Sequence, residues 1–329
     1  SWVNQAVSMT GPGVGPDILR ALERMAPAIR SLRLGDGAMV RFHGGAAGQA
    51  ERVDQALADA GIRLPARPEG TMGYSRLSAA RTLLIMDTGL LPTSRTGDRA
   101  HAGTLAFELS SGRVPVLVNM GPANGFEARM RSASRATAAH NGVDVAGSSL
   151  ARFAGSDFVR RSFGSQLTDA PRRVTVKRDS NEHGQAILAS HDGYSQTQGL
   201  IHSRQISVSY NGAEIHGVDR MVAGTTGQKV RFSKAAQRAE PVGQVPFSAH
   251  FHLHPDVSVD LDMGGAVASL TLSNGEIWIL RALECDLELR DTIYFEQGRL
   301  KPRATKQIVA TSAVVDYEGV INWTLSRPR

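Results

Sequence analysis

Hydrophobic and polar positions recur in two rhythms along this chain, and the change falls near residue 70. Before it the period is helical. Ile18, Leu19, Leu22, Met25, Ala26 and Ile29 sit at the spacing of one helix face, which predicts a helix over 17–34 with Pro16 and Asp17 in its first turn. Val53, Ala56, Leu57 and Ala60 predict a second, shorter helix over 49–60, stopped by Gly61. Neither is long enough to bury a core of its own. The glycine-rich stretch 11–15 is not a phosphate loop, because it lacks the Gly-Lys-Ser/Thr ending and no strand precedes it.

From Tyr74 onward, short runs of β-forming residues alternate with turn residues. Strands are expected over 82–87, 104–109, 114–119, 141–145, 173–176, 187–190, 203–210 and 213–218. More follow over 247–252, 258–261, 266–272, 276–281, 286–289 and 306–311. Hairpin turns are expected at Ser110-Ser111-Gly112, at Asn211-Gly212 and at Ser273-Asn274-Gly275. So many strands with so little helix predict a mainly β protein built as a large antiparallel β-sandwich, not a βαβ fold.

Composition narrows the picture. Hydrophobic residues make up 41% of the 329, enough for a sizeable core, and no run of about 18 apolar residues predicts a membrane span. The chain starts at Ser1 with no basic-then-apolar leader, and we read this as a cut end. The single cysteine, Cys285, excludes an internal disulfide framework and reads as a small buried hydrophobe. A formal charge of +6 favours anionic partners. It comes from scattered arginines, with no block of like charge and only 5% aromatic residues, which argues against a nucleic-acid-binding sheet.

Four stretches carry more specific information. The first is Ala100-His101-Ala102-Gly103-Thr104-Leu105-Ala106-Phe107-Glu108-Leu109, followed by Gly112 and by Pro115-Val116-Leu117-Val118-Asn119-Met120-Gly121. The second is Arg135-Ala136-Thr137-Ala138-Ala139-His140-Asn141. The third is His191-Asp192-Gly193-Tyr194 with His202-Ser203-Arg204 after a gap, and the last is Phe251-His252-Leu253-His254-Pro255. In this order, over roughly residues 74–329, they resemble the C-terminal module of the heparinase II/III-like family. The resemblance implies that 1–70 is the C-terminal end of a helical (α/α) toroid domain plus linker and that 71–329 is the β-sandwich. It also implies a polysaccharide lyase acting by β-elimination beside a uronic acid, a bacterial cell-envelope or periplasmic location, and an acidic polysaccharide partner. In that family the tyrosine base and the carboxylate-neutralising group sit largely in the helical domain, so this stretch is expected to be inactive alone.

The resemblance also assigns residues. The family's Gly-His-x-His-Ala-Asp stretch falls here on Arg99, His101 and Gly103, and a downstream aspartate falls on Asn119. Arg99 cannot be a base at neutral pH but is able to grip a sugar carboxylate with two parallel bonds. The resemblance implies a structural zinc or calcium held by His101, Asn119 and His202, though an amide is a weaker ligand than a carboxylate. Without a metal, His101 reads as a hydrogen-bonded histidine at the mouth of the sandwich. His140 and Asn141 follow Arg129, Arg131 and Arg135, a pattern that suits a loop gripping anionic sugar. His140 and Arg99 are the catalytic candidates, and Arg135 and Asn141 the substrate-binding ones. The alternative for His140 is a buried residue satisfying backbone groups. His250, His252 and His254 alternate, but same-face positions about 6.5–7 Å apart favour structural roles over a shared ion. Tyr74 and Tyr194 read as packing residues. Three functions follow: a lyase part, a non-catalytic glycan-binding or envelope sandwich derived from one, and nucleic-acid binding through an arginine-rich face.

Overall fold

The computed structural model describes residues 15–92, 94–153 and 166–328. Residues 11–14 of the glycine-rich stretch lie outside them, and Gly15 serves as N-cap of helix α1 (Pro16–Ser31), with Pro16 in its first turn. Helix α2 (Ala50–Asp59) follows. The predicted stripe on α1 meets a different fate from the one its period implies. Ala26, Pro27 and Ala28 are buried, whereas Ile18, Leu19 and Met25 stay exposed. Leu22, Met25, Ile29 and Val53 instead line an open apolar groove between the two helices. The turn between them does the packing: Leu34, Val40 and Phe42 lie on Leu83, Ile85 and Ala106 of the sandwich.

The β part is antiparallel throughout. Five strands pair in chain order: β1 (Gly70–Thr71), β2 (Tyr74–Ala79), β3 (Thr82–Asp87), β4 (Phe107–Ser111) and β5 (Val114–Leu117). Helix α3 (Ala128–Ser134) leads to β6 (Val143–Val145), and β7 (Arg152–Phe153) pairs with β8 (Leu167–Thr168). Then come β9 (Val174–Ser180), β10 (Gly184–His191), β11 (Ile201–Ser209), β12 (Glu214–Val222), helix α4 (Thr226–Ala236) and β13 (Val245–His252). The last strands are β14 (Ser258–Asp262), β15 (Val267–Thr271), β16 (Ile277–Leu283), β17 (Leu287–Tyr294), β18 (Arg303–Val314) and β19 (Glu318–Ser326). The large sheet has eight strands in the order β14-β15-β16-β19-β12-β11-β10-β9, and a four-stranded sheet runs β17-β18-β13-β6. The predicted Asn211-Gly212 hairpin joins β11 to β12, with Gly212 at φ +66°, a left-handed turn conformation that glycine adopts without strain.

Alternation along the strands builds the core. On β12 Ile215, Gly217, Asp219 and Met221 face inward, and on β19 Ile321, Trp323 and Leu325 do the same. Trp323 lies opposite Gly217, where an added Cβ would come within 1.9 Å of the indole. That missing side chain lets the ring lie flat on the sheet. There Phe107 stacks on it at 5.7 Å and Phe251 meets it edge-on at 5.1 Å, so one indole ties three sheets together.

Candidate functional site

Most of the candidate residues gather where the turn after α1 meets the loops that flank β4 and precede β6. A cleft of about 260 Å³ opens there. Arg99, His101, Arg131, Arg135, Asp98 and Gly44 are among its lining residues. Helix α3 supplies Arg131, and its C-cap is Arg135. Arg135 is nearly buried: its Nε donates to the carbonyl of Ala100 (2.7 Å), and its guanidinium lies 4.9 Å over the ring of Phe153. Arg99 is exposed at the rim. The cleft therefore presents three guanidinium groups against one carboxylate.

The imidazoles are oriented by a chain of hydrogen bonds. Nδ1–H of His140 donates to the carbonyl of Ala136 (2.8 Å), which leaves its Nε2 as an acceptor in the neutral ring. That Nε2 faces Nδ1 of His101 at 3.0 Å, so His101 donates from Nδ1. Its remaining nitrogen, Nε2, has no hydrogen-bond partner among the described residues and offers its lone pair on the cleft, beside Gly44. A Cβ at Gly44 would sit 3.6 Å from that atom. From behind, the backbone N–H of His101 donates to Nδ1 of His43 (3.3 Å), and Nε2 of His43 lies 2.9 Å from the carboxylate of Asp87. Burial first, then the neighbouring His140 and His43 rings and the Arg135 guanidinium, which would repel a second charge, hold His101 well below the usual imidazole range. Burial pushes His140 down to about 4. Both are neutral at physiological pH. Gly103, at the family's aspartate position, is packed against His140: a Cβ there would lie 3.1 Å from the ring.

Of the residues singled out from sequence, the structure brings Arg99, His101 and Arg135 to the cleft and sets His140 directly behind His101. Asn141 does not face the cleft. It is fully buried, its Nδ2 donating to the carbonyl of Phe107 (2.7 Å) and its Oδ1 accepting from the backbone of His252 (2.5 Å). His43 and Asp87 were not singled out, because they lie 58 and 14 positions from His101 in segments without a motif; the turn signal Phe42-His43-Gly44-Gly45 was their only mark.

The expected metal ligands do not converge. Asn119 accepts the backbone N–H of Asn141 on Oδ1 (3.0 Å) and donates from Nδ2 to the carbonyl of Arg41 (3.3 Å). His202 belongs to another buried group. There Gly193 N–H donates to His191 Nδ1 (3.1 Å), His191 Nε2 donates to His202 Nδ1 (3.1 Å), and His202 Nε2 donates to Asp219 (2.9 Å). Arg204 closes a two-point bond on the same carboxylate and also donates to the carbonyls of Leu105 and Asn141. Burial opposes the ionised Asp219 most strongly of any single influence, but Arg204 and His202 together outweigh it and keep the carboxyl well below its usual range. With both nitrogens of His202 and the amide of Asn119 committed in this way, only Nε2 of His101 is left, and the three do not fit a shared ion. Among the described residues no group of three or more His, Cys, Asp and Glu side chains is placed to hold one. His250 faces Asp144 at 2.5 Å and His252 is wholly buried. Tyr194 donates to the carbonyl of Val143 (2.7 Å), and none of the five tyrosines lines the cleft.

The family model described as "Heparinase II/III-like, C-terminal" matches residues 63–324. FtsZ-localized protein C of Caulobacter vibrioides is 30% identical over 329 residues, 99% of this chain and 54% of that protein. Among solved structures, heparan sulfate lyase HepC from Pedobacter heparinus superposes with a TM-score of 0.66 at 12% identity, over 95% of this chain and 47% of that one. Heparinase III gives 0.64 at 11% identity, over 94% and 48%. The likeness to both lyases is one of fold. The chain spans about half the length of the relatives it matches. No helix among the described residues is long and apolar enough to cross a membrane.

Proposed function

Since this chain belongs to the heparinase II/III-like family through its C-terminal module, we propose that its cleft binds a uronate-containing acidic polysaccharide and takes part in its β-elimination. The observation that carries this reading is the open Nε2 of His101 set among Arg99, Arg131 and Arg135. The guanidinium groups would neutralise the sugar carboxylate, which makes the proton alpha to it easier to remove. His101 Nε2 would accept that proton. The freed electron pair forms the ring double bond, the bond to the glycosidic oxygen breaks, and the proton passes from His101 to the departing oxygen. His140 keeps the lone pair on the correct nitrogen, and His43 with Asp87 holds the His101 backbone. No metal enters these steps. An envelope location in a bacterium is part of the same reading.

A second reading has its own support. The 30%-identical relative is named for localisation with FtsZ, and no tyrosine reaches the cleft. In that reading the cleft binds glycan without cutting it. One experiment separates the two. The full-length protein is titrated with heparan sulfate, heparin and alginate oligosaccharides by calorimetry, with and without chelator, while ultraviolet absorbance follows unsaturated uronate. We expect binding weakened roughly tenfold in Arg131→Ser, and product formation lost in His101→Gln with binding retained. Binding without product supports the second reading, and absence of both sinks the site.

A further inference from the structure

Helix α4 carries a surface that the cleft chemistry leaves unused. A capping box opens it: Thr225 accepts from the backbone of Gln228, whose side chain accepts from the backbone of Thr225. Phe232 and Ala236 are buried, with Phe232 edge-on to Tyr317. At 3.6 residues per turn, Val230, Arg231, Lys234 and Arg238, the last just past the helix end, fall on the opposite side within an arc of about 100°. Arg231, Lys234 and Arg238 form one wall of a groove of about 430 Å³, and Gln196, Thr197 and Gln198 are also among its lining residues. Among the described residues no acidic side chain lines it, and none of the three cations makes an ion pair. It shares no lining residue with the His101 cleft.

We infer that this groove docks an acidic, partly apolar polypeptide segment of a partner protein. Arg231 and Arg238 are about 10 Å apart along the helix axis, the reach of three or so residues of an extended chain. The cations match its carboxylates, and the two glutamines and the threonine offer both donors and acceptors to its backbone. Exposed valines beside the groove, though not among its lining residues, separate this face from a purely ionic one: Val230, on the same helical arc as Lys234, is 52% exposed and Val242, six residues past the helix, 75%. A glycan or nucleic acid would gain little from them, whereas apolar side chains of a peptide would cover them.

The test is fluorescence anisotropy with a labelled peptide of glutamates interspersed with leucines, read against the intact protein. Double reversal Lys234→Glu/Arg238→Glu is made on exposed positions, with circular dichroism confirming the fold. The reversal is expected to weaken binding roughly tenfold or more, and Val230→Ser severalfold. Equal binding by the reversed variant, or none by the unaltered protein, overturns the inference. So does a heparin oligosaccharide that occupies this face in preference to the peptide and is insensitive to Val230→Ser, because it would make the surface a glycan site.

Discussion

The state of one imidazole decides what the cleft can do. Nδ1 of His101 donates to His140, which itself is pinned by the carbonyl of Ala136, so the lone pair of His101 is fixed on Nε2. Nitrogen-15 spectra of the protein should therefore show His101 as the neutral Nδ1–H form through the neutral range, and His140→Ala should mix its two forms. A His101 ring already protonated at pH 7 would remove it as a proton acceptor. A second prediction at this scale concerns Arg204, whose guanidinium serves Asp219, Leu105 and Asn141 from a wholly buried position. Arg204→Met strands the Asp219 charge and should cost about 3–5 kcal/mol in urea unfolding; a loss below about 1 kcal/mol would show that water or His202 takes over. The short motifs were enough to mark Arg99, His101, Arg135 and His140. They could not show that Asn141 and Asn119 spend their amides on the backbone, nor that His43 arrives behind His101. Those facts depend on which segments the fold brings together, and no local pattern carries them.

Most strands were readable from alternation because each has one face on the core, and the turn glycines punctuate them. The run 82–87 became β3, and the Asn211-Gly212 and Ser273-Asn274-Gly275 turns join the strand pairs expected. Helices α3 and α4 and strand β19 were not read. Helix α3 is short and polar, and reads as a cluster of arginines. Helix α4 is weakly amphipathic, and its one strong mark is the Thr225-to-Gln228 capping box. In β19 the inward Trp323 fits only because Gly217 lies opposite, a pairing that sequence does not show. Gly217→Ala tests that fit. A Cβ within 1.9 Å of the indole must displace Trp323 and, through it, Phe107 and Phe251. Overpacking at such a site is expected to cost about 3 kcal/mol or more. Phe251→Leu, which relieves the crowding, should recover part of the loss; a melting temperature unchanged by Gly217→Ala would show that the sheet yields freely.

Across the whole molecule, histidines set how the fold responds to acid. Burial first of all lowers the affinity for protons of His101, His140, His191, His202, His252 and His254, to about 4 for His140 and His254 and about 3 for His252. Above about pH 7.5, a unit over the free imidazole value, these rings are neutral both folded and unfolded, so they make stability no function of pH. Below it the unfolded chain takes up protons that the folded chain refuses. Stability then falls with pH until the folded values near 4 and 3 are reached. His140 alone would withdraw about 3 kcal/mol by pH 4, against a total of roughly 5–15 kcal/mol for an ordinary domain. Asp219 adds to the loss lower down, since a carboxyl held below its usual range gives up its contribution as pH drops through that range. Melting temperature should be flat above about pH 7.5, begin to fall through about pH 7 and fall steeply below about pH 6. His252→Gln, which cannot take up the proton, should flatten part of the slope if the neutral amide fits the same hydrogen bond to Ile293. A melting temperature constant down to about pH 4.5 would mean that water reaches these rings, and the free lone pair on His101 would then be protonated in the very range where the cleft must accept a proton.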